Sequence, residues 1–197
     1  MKIGITGGIG SGKSYVSKII GDAGYTVLNA DDIAKQIMVE DESVRELIIS
    51  NFGYDSYNNK ELNRSHIASR AFSSIENVNI LNSIVHPPMV FEINKLMEAV
   101  LKKNKMVFVE AALIYEAAVD AILDYVLLVT ADEEIRINRI QERDKLSEAD
   151  IRSRMKYQMP ENEKENLADF TIKNNSSLID LEMKTKMFLT VFESMKK

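Results

Sequence analysis

The densest chemical signal in the chain is the run Gly7-Gly8-Ile9-Gly10-Ser11-Gly12-Lys13-Ser14. It fits G-x-x-x-x-G-K-[ST], the pattern of a loop that wraps phosphate groups. Glycines at 7, 8, 10 and 12 let the backbone take positive φ and bring bare N–H groups close to a polyanion. Lys13 supplies a charge for β- and γ-phosphates, and the Ser14 hydroxyl suits a ligand of Mg²⁺. The run needs a strand before it and a helix after it. Met1 to Thr6 is apolar enough for the strand, and Tyr15 to Ile20 has helical apolar spacing. A helix starting there aims its positive end at the same phosphates. A glycine-rich turn with no ligand is the competing reading, and agreement of both flanks argues against it.

Other groups able to do chemistry lie at strand and helix ends. Asp31 and Asp32 follow the strand candidate Tyr25-Thr26-Val27-Leu28. In open parallel sheets ligands sit beyond the carboxyl ends of strands, so a carboxylate there can orient an attacking hydroxyl and take its proton. Asp31 as a mere helix N-cap fits the spacing equally well. Arg136, Arg139 and Arg143 fall three and four apart on one helix, with Arg152 and Arg154 on the next. Clustered guanidiniums suit a clamp on a phosphoryl group in flight. For Arg139 and Arg143 the clamp is favoured. For Arg136 a solvated pairing with Glu133 is favoured. Glu110 and Glu116 stand after the third strand, where many phosphate-loop ATPases carry an Asp for the metal, and neither is an obvious second metal ligand. His86 has no local feature that makes it a base.

The elements that must position these groups are legible in outline. Strands are expected at Met106–Val109, Tyr125–Val129 and Phe170–Ile172. The near-continuous apolarity of the second of these suits a strand covered on both faces. Residues 41–104 change character, with helical periodicity, turns at Phe52-Gly53-Tyr54 and Asn58-Asn59, and no convincing strand. A long helix is expected to start at Pro87, since proline is tolerated in a first turn. A closing amphipathic helix runs from Leu178 to Met195, with Leu178, Leu181, Met187, Phe188 and Val191 expected inside.

Composition excludes several classes. The 197 residues carry a net charge of −5, which argues against a broad nucleic-acid or anionic-membrane surface. With no cysteine, disulfides and thiolate chemistry are excluded, and a reducing cytoplasm is the expected setting. The apolar stretch Met106–Ala131 is interrupted by Glu110, Glu116, Asp120 and Asp124, too many carboxylates for a membrane span. No signal peptide is expected, since Met1 runs straight into the first strand candidate.

Three readings compete: a small-molecule kinase, a GTPase-like switch, and a mechanical or regulatory ATPase. No Asn-Lys-x-Asp guanine-reading motif is present, and no Asp ends the third strand. Asp31, a helical insertion and a late arginine cluster favour the kinase. In that setting the chain resembles the dephospho-coenzyme A kinase family along essentially its whole length. The resemblance rests on Thr6 through Ser14, Ala30-Asp31 with Ala34, His86-Pro87 and Leu113-Ile114-Tyr115-Glu116. It continues with Arg139, Gln141 and Arg143, Arg154 with Gln158-Met159-Pro160, and Ala168-Asp169 with Ile172 and Asn174.

This resemblance implies an α/β fold of phosphate-loop type, three layers about a five-stranded parallel sheet. The core is expected at 1–40, 105–135 and 165–197, a helical acceptor-binding insertion at 41–104 and a lid at 136–164. It implies MgATP-dependent phosphorylation of the ribose 3′-hydroxyl of dephospho-coenzyme A, by a monomer or weak homo-oligomer. Asp31, Lys13 and Arg143 become the catalytic candidates. Gly8, Ile9, Gly10, Ser11, Gly12, Lys13, Ser14, Arg139 and Asn174 become the ATP-binding set, with Asn175 an alternative base contact, and Ser14 the metal ligand. Asp31, His86, Leu113 and Glu116 fall to the acceptor. A nucleoside-monophosphate kinase is the runner-up. Two departures stand out: Asn29 where the family commonly has Asp, and Ala112 where it often has proline.

Overall fold

The computed structural model describes residues 1–195. In chain order, β1 (Lys2–Thr6) leads through the glycine loop into α1 (Lys13–Asp22) and β2 (Val27–Asn29). Then come α2 (Ala30–Glu40), α3 (Glu42–Phe52), the short strands β3 (Tyr57–Asn58) and β4 (Glu61–Leu62), α4 (Arg64–Ala71) and α5 (Ile75–Leu101). β5 (Val107–Glu110), β6 (Tyr125–Thr130), α6 (Glu133–Asp144), α7 (Glu148–Met155), α8 (Glu161–Leu167), β7 (Phe170–Lys173) and α9 (Leu178–Ser194) follow. The expected core range 165–197 reaches Lys196 and Lys197, which lie outside the described residues. The chain forms two units, one of Met1–Leu28 with the chain from Met97 onward, the other Asn29–Leu96. Among the described residues no helix is long and apolar enough to cross a membrane.

The first unit is built on a five-stranded sheet in the order β2-β5-β1-β6-β7. β1 is central, its Ile3 paired in parallel with Phe108 of β5 on one side and Tyr125 of β6 on the other. The chain passes from β5 to β6 across β1, so the switch point lies at the carboxyl end of β1, where the glycine loop begins. Ile3, Ile5, Phe108, Leu127 and Val129 are wholly buried and pack with Val16 and Ile20 of α1 and Leu181 and Phe192 of α9. These strands are apolar on consecutive residues because both faces are covered. The inner face of α9 differs from the expectation: Leu178 and Met187 are 58% and 55% exposed. Leu181 is buried as expected, joined by Thr185, Leu189 and Phe192, while Phe188 and Val191 are half-buried. Thr185 is tolerated there because its hydroxyl donates to the Leu181 carbonyl at 2.7 Å.

The second unit has its own core, including Met38, Val44, Ile48, Phe52, Ile67 and Val85. Two expectations are overturned in it. β3 and β4 form a small antiparallel hairpin, turning at Asn59 with φ 57°. Strands of two residues are too short to show alternation, so only their turn was readable. The long helix does not start at Pro87; α5 begins at Ile75 and runs through Pro87 and Pro88. The prolines remove two backbone donors in mid-helix. Buried Ile84, Val85, Met89 and Ile93 on both sides of them hold the helix in one piece.

Candidate active site

The glycine loop has its shape imposed from several directions. Gly10 (φ 83°) and Gly12 (φ 101°) occupy left-handed backbone that side chains disfavour. Gly12 also has no room: a Cβ there would lie 2.4 Å from Nδ2 of Asn174. That same Nδ2 donates to the Ser11 carbonyl at 2.8 Å. Gly8 departs from the expectation, since its φ is not positive. Its missing side chain makes space instead: a Cβ would lie 2.4 Å from both Nη1 of Arg136 and Oε1 of Glu161.

Ser14 stands beside α1's first residue, and its hydroxyl donates to Oε1 of Glu110 at 2.5 Å. Glu110 ends β5 and is 7% exposed. A hydroxyl and a carboxylate in contact are hard oxygen donors of the kind Mg²⁺ accepts beside phosphate and water. The carboxylate at a strand end was the only sequence signal for this partner.

Gly10, Gly12, Lys13, Ser14, Arg139 and Arg143 line a cavity of about 220 Å³. Arg139 is held ready: Nη2 donates to the Asn174 carbonyl at 3.0 Å, while buried Nη1 has no partner among the described residues. Arg143 is 68% exposed and forks onto Asp144 at 2.7 and 2.8 Å. That hydrogen-bonded pairing raises the pKa of Arg143 and lowers that of Asp144. A larger cavity of about 600 Å³ is lined by Thr130, Asp132, Arg136, Glu161 and Asn175 but by neither Lys13 nor Ser14. Size alone therefore does not mark the phosphate site.

One expected pairing is not formed. Arg136 is not a solvated partner of Glu133. It is 7% exposed, its Nε donates to the Ala131 carbonyl at 3.1 Å, and Glu133 pairs with Arg152 instead. Asn174 braces Ser11 and Arg139, while Asn175 accepts from the Asp132 amide at 2.9 Å. Glu116 accepts from the Met159 amide at 2.6 Å and faces the wholly buried Lys164 at 3.4 Å. Leu113, in the same loop after β5, is half-buried. Asp31 is exposed in the first turn of α2, and the N-cap there is Asn29, which accepts from the Asp32 amide at 3.0 Å. The cap reading of Asp31 thereby fails, and Asn for the common Asp at 29 is a like-for-like cap. His86 is half-buried within α5. Asp31 and His86 belong to the second unit, the loop and both arginines to the first.

Sequence reasoning missed Glu161. Its carboxylate accepts from the Gly8 amide at 2.9 Å and from the Thr130 hydroxyl at 2.8 Å. Gln158, noted only as part of a motif, accepts from the Ile9 amide at 3.0 Å. No local pattern signals such pairings.

Comparison with known proteins converges on one family. A family model described as dephospho-CoA kinase matches residues 1–180. The dephospho-CoA kinase of Fusobacterium nucleatum is 39% identical over 189 residues, spanning 95% of this chain and 96% of that protein. That of Corynebacterium glutamicum is 34% identical over 188 residues, spanning 94% and 96%. Among solved structures, the dephospho-CoA kinase from Campylobacter jejuni superposes with a TM-score of 0.76 at 29% identity, covering 100% of both chains. A shikimate kinase from Acinetobacter baumannii, at a TM-score of 0.59 and 14% identity over 99% and 94%, shares the fold alone.

Proposed function

The chain belongs to the dephospho-CoA kinase family, and from that premise we propose how its residues carry out the transfer. The reaction is ATP-dependent phosphorylation of the ribose 3′-hydroxyl of dephospho-coenzyme A, giving coenzyme A and ADP, the final step of coenzyme A synthesis. The observation that carries the site assignment is the cavity gathering Gly10, Gly12, Lys13, Ser14, Arg139 and Arg143.

The amides from Gly8 to Ser14 and the Lys13 ammonium hold the ATP phosphates. Arg139, whose Nη1 has no partner among the described residues, meets the nucleotide first. Arg143 leaves Asp144 and adds its charge as the phosphoryl group passes. Asp31 accepts the hydrogen bond of the ribose hydroxyl and takes its proton as the new P–O bond forms and the bond to ADP breaks. His86 and Leu113 shape the acceptor's surroundings, and Glu116 acts through the Met159 amide it holds. Ser14 and Glu110 would hold Mg²⁺, which when bound neutralises charge on the β- and γ-phosphate oxygens. We place the enzyme in the cytoplasm, consistent with its lack of cysteine, and take it to act as a monomer or weak homo-oligomer.

The test is to incubate the protein with MgATP and, separately, dephospho-coenzyme A, adenosine, AMP, pantothenate or shikimate, following ADP release. ADP is expected only with the first. Release with AMP alone would assign a nucleoside-monophosphate kinase. Asp31→Asn should lower kcat by about 10²–10³ with ATP affinity intact; wild-type turnover would remove Asp31 from the chemistry.

A further inference from the structure

The front half of the phosphate loop is held by side chains from far along the chain. The Gly8 amide reaches its acceptor, Oε1 of Glu161, across 153 residues of sequence. The Ile9 amide reaches Oε1 of Gln158 across 149. Further along, the Ser11 amide donates to the Gly8 carbonyl at 3.1 Å, the Ser11 carbonyl takes Nδ2 of Asn174, and the Ser14 hydroxyl reaches Glu110.

Glu161 does more than satisfy one amide. Its second oxygen takes the Thr130 hydroxyl, and Thr130 ends β6, the strand beside β1. The Arg136 guanidinium stands 3.7 Å from Oε1. Oε1 faces the Gly8 N–H and Arg136, which can only donate, so that position needs an oxygen acceptor; at Oε2 the Thr130 hydroxyl donates but can equally accept. The fit is close, because Gly8 has no room for a Cβ against Arg136 and Glu161. A carboxylate beside a loop built for a polyanion carries an electrostatic cost, and buried Arg136 offsets it.

We propose that Glu161 is a positioning residue for phosphoryl transfer: through Gly8, Thr130 and Arg136 it sets where the front of the phosphate loop lies against β6 and α6. This rests on the kinase reading above and adds a residue outside the phosphate-loop motif to the machinery. Misplacing reacting groups by about 1 Å costs on the order of 10²-fold in rate, so a loop that drifts at Gly8 shows it in kcat.

The test compares Glu161→Ala, Glu161→Gln and Thr130→Val with wild type, in the full chain. Three quantities are read: hydrogen exchange at the Gly8 amide without nucleotide, ATP binding by calorimetry without acceptor, and kcat with dephospho-coenzyme A per folded molecule. Glu161→Ala should speed Gly8 exchange and lower kcat by about ten- to a hundredfold. Glu161→Gln keeps an oxygen for Gly8 and an amide for the Thr130 hydroxyl, and should rescue most of both losses. Thr130→Val breaks one contact and should lower kcat by about three- to tenfold; it stands in if the alanine variant does not fold. The proposal is overturned if Glu161→Ala leaves Gly8 exchange and kcat at wild-type values, or if the glutamine variant is as impaired as the alanine one. A fall in thermal midpoint with kcat unchanged also overturns it, since that is a structural role only. Should wild type fail to phosphorylate dephospho-coenzyme A, the kinase reading fails while exchange and calorimetry still decide the role of Glu161.

Discussion

The segment joining β6 to β7 is attached very differently at α8 and at α7. From Gln158 to Lys164 it is pinned. Gln158 and Glu161 hold loop amides, the Met159 amide donates to Glu116, and Lys164 donates to the Ala112 carbonyl at 2.9 Å from a wholly buried position. Around α7 the attachment is thin. Ile151 packs with Ile137, Ile140 and Ile9, while Arg152 makes exposed pairs with Glu148 and Glu133. Lys145, which ends α6, sits in left-handed backbone at φ 57°. Buried, charge-assisted contacts resist opening; a few apolar contacts under exposed ion pairs do not. The contrast teaches that α7 is the part of this segment freer to move, with α8 as the fixed post. α6 is no free lid either, since Gly10 lies under it: a Cβ there would be 2.7 Å from the Arg136 carbonyl.

The sharpest way to break this comparison is Lys164→Met. It strips the buried cation from Glu116, whose Oε2 already lacks a partner among the described residues. A loss of about 3–5 kcal/mol is expected in denaturant unfolding, because one buried charge is left alone. A loss below about 1 kcal/mol would mean the pinned end is no firmer than the other.

Next in size is Ile151→Ala. It removes a wholly buried side chain from the thin end, a local cost of about 2–4 kcal/mol. Proteolysis within 145–157 should quicken while the global midpoint falls far less than for Lys164→Met. Equal falls would show the two ends unfolding as one unit. Arg152→Ala should leave both readouts at wild-type values, since its pairs are exposed. The smallest effect is one of pH. The hydrogen bond from Arg143 lowers the pKa of Asp144. The pair's contribution is therefore present above the ordinary carboxylate range and lost as pH falls through the depressed value. Carbon-detected titration of Asp144 should move back toward the ordinary range in Arg143→Ala; an unmoved titration would show that the pair does not form in solution.

Legibility followed the range of the interactions. Helix α2 was readable because its apolar stripe, Ile33 and Met38 among it, recurs within a few turns; its cap, Asn29 rather than Asp31, was not. α5 misled because a proline pair normally starts or ends a helix, and only burial on both sides of it overrides that. Arg136 misled for a related reason. Glu133, three residues earlier, is the nearest partner in sequence, yet the inward face of α6 turns Arg136 toward Ala131 and Glu161.

By itself the sequence determined the phosphate loop, its lysine and serine, the strand–loop–helix around them and the family. The loop and its flanks depend on backbone angles and spacings within about ten residues, which local residue types dictate, and the family on motifs spread along the chain. Only the tertiary structure decided what holds that loop in place: Asn174 on Ser11, Glu110 on Ser14, Glu161 on Gly8. An amide accepts whichever carboxylate packing brings to it, and spacing in the chain does not say which one that is.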